Sequence, residues 1–280
     1  ASASGAATVS GGSTEYDTEI AKAAGELLAA KGKSIVVSGS NDAGVQSVVN
    51  AINNLLGNIG TTVDMTNPLF VRQGVNADMD KLVADMNAGS VKALLIQGDP
   101  SYNYAKAADF NAGLSKVQLT VSFADRLDET AANVTYLCPD NHYLESWNDA
   151  MPRAGYYSLT QPTIAPLFKT RQLQESLLKW SGNDSDYYSY LRSSWMDIHE
   201  ACGNTLLFSD FFNTALFTGV FETTASGTVT YAGDVAAAAS SIKAVPAGDI
   251  ELELYVKAGL GDGAQANNPW LQEMPDPLSR

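Results

Sequence analysis

Three stretches of this sequence bring potentially reactive or ligand-binding side chains close together. Gly39-Ser-Asn-Asp-Ala-Gly44 follows an apolar run and opens a helical pattern, where free backbone N–H groups and the helix dipole can hold an anion. Its spacing is neither G-x-G-x-x-G nor a P-loop, and no Lys-Ser/Thr pair follows it. A conventional nucleotide fingerprint is therefore not expected, and a structural turn is favoured over an anion-holding loop as the reason for the glycines. Gln97-Gly-Asp-Pro100 and Ala124-Asp-Arg126 each follow an apolar run of strand length. Open parallel sheets bind ligands outside the carboxyl ends of their strands. Gly39, Ser40, Gly98, Asp99 and Asp125 are thus the expected cofactor-facing set, with turn capping the competing role for each Asp.

The third stretch, Cys138-Pro-Asp-Asn-His-Tyr-Leu-Glu145, is the densest group of metal-ligand types. On a helix, His142 and Glu145 would share a face at i, i+3. Cys138, His142 and Glu145 remain an incomplete set, because a zinc or iron site needs a third or fourth ligand in fixed geometry. The other histidine is His199. No metal site is expected, and no catalytic residue either: the sequence has no Gly-x-Ser-x-Gly elbow, and two histidines must serve every triad. Tyr187, Tyr188 and Tyr190 beside Trp195 read as core or interface aromatics. Cys138 and Cys202 are too few for a four-thiolate iron–sulfur cluster. Two unpaired buried thiols are expected in preference to a disulfide.

The elements that would carry these loops alternate. Helical spacing is expected over Glu15–Ala30, then a short strand at Ser34–Ser38 and a helix from Asp42 with Val45, Val48, Val49, Ile52 and Leu56 on one face. Gly57 stands at its C-cap. Asp80–Met86 and Tyr104–Leu114 read as helices, and Asp128–Ala132 as one helical turn. Val91–Ile96, Val117–Phe123 and Val134–Leu137 read as buried strands. This is the βαβ pattern of a parallel sheet.

Beyond Pro139 the pattern changes, with a short helix expected over His142–Ala150 and irregular extended chain over Gly155–Ile164. Helices follow at Lys169–Trp180, Ser185–Cys202 and Leu206–Glu222. A return to βαβ is expected at Thr228–Tyr231, Asp234–Lys243 and an edge strand Ile250–Val256. The fold class is therefore α/β, a Rossmann-like parallel sheet with helices on both faces. The expected organisation is a flexible leader at 1–18, an α/β domain at 19–262 with a helical insertion at about 169–224, and a linker at 263–280.

Composition narrows the partners. The 17 Lys and Arg against 31 Asp and Glu give a net charge of -14. Nucleic acid and anionic membrane surfaces are excluded, since phosphate binding needs clustered cations. A basic protein partner and simple solubility both fit, and composition does not pick between them. No apolar run reaches the roughly 20 residues of a membrane span, and the chain, beginning at Ala1 without a signal-peptide pattern, reads as a mature or excised piece.

Taken together, Ile35-Val-Val-Ser-Gly-Ser40, Val49 to Asn58, Ala88 to Pro100, Glu129-Thr-Ala131 and Leu137-Cys-Pro-Asp140 resemble the molybdopterin oxidoreductase superfamily. Asn141 to Asp149, Gln161 to Pro166, Arg171 to Trp180 and Asn267 to Pro277 are similar to the iron–sulfur B subunit of alternative complex III, a cofactor-free branch. The resemblance covers roughly Lys33 to the C-terminus. It implies a non-catalytic scaffold of a menaquinol-oxidising respiratory complex, exported to the periplasmic face of the inner membrane. The implied partners are cytochrome and integral membrane subunits. It further implies no molybdopterin in this chain, and iron–sulfur clusters in a domain after Arg280. Asp99 departs from the Asn that catalytic relatives carry before Pro. A fragment that binds a pyranopterin nucleotide at the strand ends is the other function the resemblance allows.

Overall fold

The computed structural model describes residues 12–71, 73–223, 229–242, 250, 256–261, 263 and 265–275. Two compact units divide the chain. One comprises Ala1–Val71, Pro152–Tyr156 and Glu222–Glu251; the other comprises Arg72–Met151, Tyr157–Phe221 and Leu252–Arg280.

In the first unit, helices α1 (Asp17–Ala29) and α2 (Ala43–Leu55) form where the apolar spacing predicts them. The Asp42 side chain caps α2 by accepting from Val45 N–H (2.9 Å), satisfying one of the donors a helix start leaves free. Gly57 ends it with a left-handed φ of 66°. A later helix of this unit, Val235–Ser241, packs against α2 so closely that a Cβ on Gly44 would lie 2.6 Å from Ser241 Oγ. Gly44 thus serves helix packing.

The strand expected at Ser34–Ser38 does not form. The Asn53 side chain takes its place, donating to the Val36 carbonyl (2.7 Å) and accepting from Val36 N–H (2.9 Å). With its peptide group paired to an amide side chain, the segment makes no ladder, and Val37 stays 79% exposed. Of the strand expected at Thr228–Tyr231, Val229 to Tyr231 are not extended into a ladder and Thr228 lies outside the described residues. Most of Ile250–Val256, most of the leader and the end of the tail also lie outside them.

The second unit holds the parallel sheet. Helix α3 (Asn76–Asn87) leads to β1 (Ala93–Ile96), the short α4 (Pro100–Asn103), α5 (Ala107–Leu114), β2 (Leu119–Ser122) and β3 (Tyr136–Leu137). The order is β1-β2-β3 and both pairings are parallel, with Leu95 opposite Val121 and Ser122 opposite Leu137. Helices lie around this sheet, so the fold is α/β and Rossmann-like as expected. The strands are shorter than their apolar runs. Near the start of β2 and β3 the ladder gives way to side-chain bonding, as Thr135 N–H donates to Thr120 Oγ1 (2.8 Å). Val83, Met86, Ile96, Phe110, Leu114 and Val117 form one core.

The short helix expected over His142–Ala150 is replaced by a single 3₁₀ turn, Tyr143–Glu145, and a strand, β4 (Asn148–Arg153). The capping box between His142 and Glu145 closes that turn after three residues. Gly155, φ 74°, then turns the chain into β5 (Tyr156–Thr160). Helices α6 (Leu173–Trp180), α7 (Tyr187–Ala201) and α8 (Phe208–Thr218) follow in the expected region. Helix α8 ends earlier than Glu222 because Gly219 adopts φ 76°. The next residues form β6 (Val220–Glu222), completing a second sheet of order β4-β5-β6. Leu159, Leu191, Trp195, Phe211, Phe212 and Ala215 form a second core. Of the aromatic group expected around Trp195, Trp195 lies in this core with Tyr188 packed against it and Tyr187 is buried, while Tyr190 is exposed. The Val235–Ser241 helix is α9, and α10 (Pro269–Glu273) closes the described chain. No helix among the described residues is long and apolar enough to cross a membrane.

Candidate functional site

The three parallel strands each end in a loop, and the three loops meet at one cleft of about 440 Å³. Gln97 to Asp99 come from the end of β1, Phe123 to Arg126 from β2, and Asp140 to Tyr143 from β3. Three parallel strands pointing the same way must deliver their following loops to the same edge, which is why chemistry collects there. Gly263 and Gln265 to Asn267 line the same cleft.

Of the residues expected from the sequence, Gly98, Asp99, Asp125 and His142 are brought together here. Gly98 has φ 103°, a conformation that side-chain-bearing residues rarely adopt. Gly39 and Ser40 belong to the first unit and do not line the cleft. Their loop is bonded to itself: Gln46 Nε2 donates to the carbonyls of Ser38 and Ser40, and Ser40 Oγ accepts from Asp42 N–H.

Most of the cleft's carboxylates are already engaged. Asp99 Oδ1 accepts from Thr130 N–H (3.0 Å) and Thr130 Oγ1 (2.5 Å). Asp128 Oδ1 accepts from Ala131 N–H, and Asp140 Oδ1 from Asn141 N–H and Leu173 N–H. Asp125 is paired with its neighbour, Arg126 Nε lying 2.9 Å from Oδ1. The Arg126 hydrogen bond and charge hold the Asp125 carboxyl below the usual carboxylate range, with burial opposing and the nearby His142 adding to the shift. Among the described residues the lining thus carries five carboxylates, Asp99, Asp125, Asp128, Glu129 and Asp140, against the single guanidinium of Arg126.

The Cys138, His142, Glu145 set does not converge on a point in space. Glu145 is buried, with Oε2 accepting from His142 N–H and Oε1 from Leu167 N–H, both 2.9 Å. Those two backbone donors, Leu167 foremost, lower its carboxyl from the ordinary glutamate value. His142 Nδ1 accepts from Leu144 N–H, and Cys138 lines a different recess. No group of three or more His, Cys, Asp or Glu suited to a metal ion occurs among the described residues. Both cysteines are free as expected, but neither is buried: Cys138 is half-buried and Cys202 exposed. Each stands just past the end of an element, β3 for Cys138 and α7 for Cys202.

Sequence reasoning missed Thr130 and the 263–267 segment. Thr130 is the buried partner of an aspartate 31 residues earlier, and no local pattern signals such a contact. Gly263 of that segment approaches Tyr102, whose ring carbon would lie 3.1 Å from an added Cβ. Only its glycine hints at that approach.

No family model matches the chain. The chain is similar to the molybdopterin-binding-like subunit of menaquinone reductase from Nitratidesulfovibrio vulgaris, 29% identical over 192 residues. The match takes in 60% of this chain and 28% of that relative's length. A molybdopterin oxidoreductase-like relationship is thereby supported.

Proposed function

We propose that this chain is a non-catalytic, molybdopterin-oxidoreductase-like scaffold domain in a respiratory quinone-linked electron-transfer complex. Its role is to hold neighbouring subunits and an iron–sulfur domain rather than a pterin. The observation that carries this reading is the charge of the strand-end cleft, five carboxylates against one arginine. A pyranopterin nucleotide brings phosphate groups to such a cleft. One unit charge about 5 Å from another of the same sign costs between about 1 kcal/mol in water and about 3 kcal/mol at an effective dielectric near 20. Arg126 is already engaged by Asp125, so no free Lys or Arg among the described lining residues offsets that repulsion. The residues present do not fit the cofactor, and no chemical step is assigned to it.

The relative's name, a molybdopterin-binding-like subunit of a menaquinone reductase, supports placement in a complex that exchanges electrons with menaquinone. The segments resembling the B subunit of alternative complex III favour the quinol-oxidising direction of that exchange. They also favour a position on the periplasmic face beside cytochrome and integral membrane subunits. The acidic surface, at net charge -14, suits a basic cytochrome.

Metal analysis and an absorption spectrum of the full-length protein purified with its complex test the proposal. Iron without molybdenum, lost when the part after Arg280 is deleted, is the expected result. Stoichiometric molybdenum with a pterin that is retained by residues 1–280 would overturn it.

A further inference from the structure

The loop after β3 and the loop leading into α6 meet beside Cys138. Arg171 N–H donates to the Pro139 carbonyl (3.4 Å), and Arg171 Nε donates to Ser176 Oγ on α6 (2.9 Å). Between them lies a recess of about 280 Å³ lined by Cys138, Pro139, Lys169, Thr170, Arg171 and Ser176. No carboxylate lines it, and the adjacent Asp140 is already engaged by the N–H groups of Asn141 and Leu173. The recess therefore carries two cations and no acid, in a chain whose acidic residues outnumber the basic ones 31 to 17. Neither Lys169 nor Arg171 forms an ion pair among the described residues.

Ser176 adds an independent sign. It is 1% exposed, and its oxygen accepts from Arg171 Nε while its own proton reaches no acceptor among the described residues. A helical serine ordinarily spends that proton on a carbonyl one turn back, as Ser47 does on Ala43 (2.8 Å). A buried hydroxyl that only accepts has an unspent donor. Arg171, fixed through Nε, has both terminal nitrogens of its fork left for an oxyanion.

We infer that this recess binds a tetrahedral oxyanion of the phosphate or sulfate class, either free or as an organic monoester. Lys169 and the Arg171 fork supply the charge, Ser176 supplies a hydroxyl donor, and the Cys138 thiol stands at the wall. The site is separate from the strand-end cleft and carries the opposite charge.

Alkylation of the two free cysteines in the full chain tests this, because Cys138 lies in the recess and Cys202 is an exposed internal reference. Iodoacetamide labelling is followed by mass spectrometry at increasing inorganic phosphate, sulfate or glycerol 3-phosphate, at constant ionic strength. A saturable slowing at Cys138 alone is expected, roughly tenfold at ten times the dissociation constant. Protection at lower concentration by glycerol 3-phosphate supports the organic ester, and equal protection by the inorganic ions supports a free anion. Lys169 is exposed and makes no hydrogen bond among the described residues, so Lys169→Ala should fold normally and weaken protection by about fivefold. Ser176→Ala should weaken it as well. No protection by any of the three, equal slowing at both cysteines, or protection unchanged in Lys169→Ala would overturn the inference.

Discussion

Thr130 gives both of its donors to a single oxygen of Asp99, its backbone N–H at 3.0 Å and its hydroxyl at 2.5 Å. Thr130 is 0% exposed, and its hydroxyl oxygen in turn accepts from Ser101 N–H. The bond therefore ties the loop after β1 to the segment after β2, and it turns a residue at the mouth of the cleft toward the protein. Asp99→Ala is expected to cost about 2–4 kcal/mol, because it leaves a buried N–H and hydroxyl unsatisfied. Asp99→Asn keeps an acceptor oxygen and should cost about 1 kcal/mol or less. Urea denaturation of the two variants checks this, and equal losses would show that the acceptor is not what stabilises the loop.

The two glycines singled out at the strand-end and helix-start loops should respond differently to a methyl group. Gly98→Ala meets no atom within 4 Å but must hold φ 103°, which costs on the order of 1–3 kcal/mol in strain. Gly39→Ala also meets nothing within 4 Å, and its φ lies outside the left-handed range. It should be neutral or stabilising by up to about 1 kcal/mol through the unfolded chain. Thermal melts of the pair read the contrast directly. A Gly98→Ala variant as stable as the parent would mean that the loop relaxes.

How far the sequence reaches can be seen at particular residues. The parallel sheet was legible because Val91 to Ile96 is nearly continuous apolar chain and Val117 to Phe123 is apolar at every second residue, and Gly98, Asp99 and Asp125 followed from their place after those strands. Ser34–Ser38 has the same apolar look, yet Asn53, 17 residues on, captures its central peptide group. Periodicity cannot see a side-chain competitor at that distance. Helix α8 was overextended because the apolar pattern runs through Gly219, where φ 76° ends it. In the cleft, the charge balance was hidden because Glu129 and Asp140 join it from separate loops. The structural duty of Asp99 was hidden because its partner is non-local.

Trp195 is the best test of the second core. It is 0% exposed, touches Phe211 and Phe212 with ring centroids about 6 Å away, and donates from Nε1 to Asp149 Oδ2 (2.9 Å). Trp195→Ala should cost about 3–5 kcal/mol as a large cavity opens. Trp195→Phe removes mainly the donor and should cost less, with Asp149 left to find water. Guanidinium unfolding followed by circular dichroism measures both. A small loss in the alanine variant would mean that the α7 and α8 aromatics close over the gap.

Asp64 should control part of the acid response of the first unit. Its Oδ1 accepts from Thr66 N–H (2.8 Å) and Oγ1 (2.6 Å), and its Oδ2 accepts from Asn67 Nδ2 (3.0 Å). These bonds, the Thr66 hydroxyl foremost and the Asn67 amide next, lower its carboxyl from 3.8 to about 2. A carboxylate favoured in the folded state binds fewer protons there than in the unfolded chain, so stability rises with pH across that interval. The contribution is complete above the ordinary value of 3.8 and fades as pH falls toward about 2. Asp64→Asn should therefore be less stable than the parent by a constant amount above about pH 5, where both states are ionised. The difference should close between pH 3.8 and 2. Glu145 has the same sign through its two backbone donors, so Asp64→Asn removes one of at least two acid-sensitive steps. Denaturation midpoints of parent and variant at several pH values, with the Asp64 carboxyl followed by carbon NMR, separate the two. A gap that persists unchanged to pH 2 would show that Thr66 and Asn67 bind the protonated acid as well as the carboxylate.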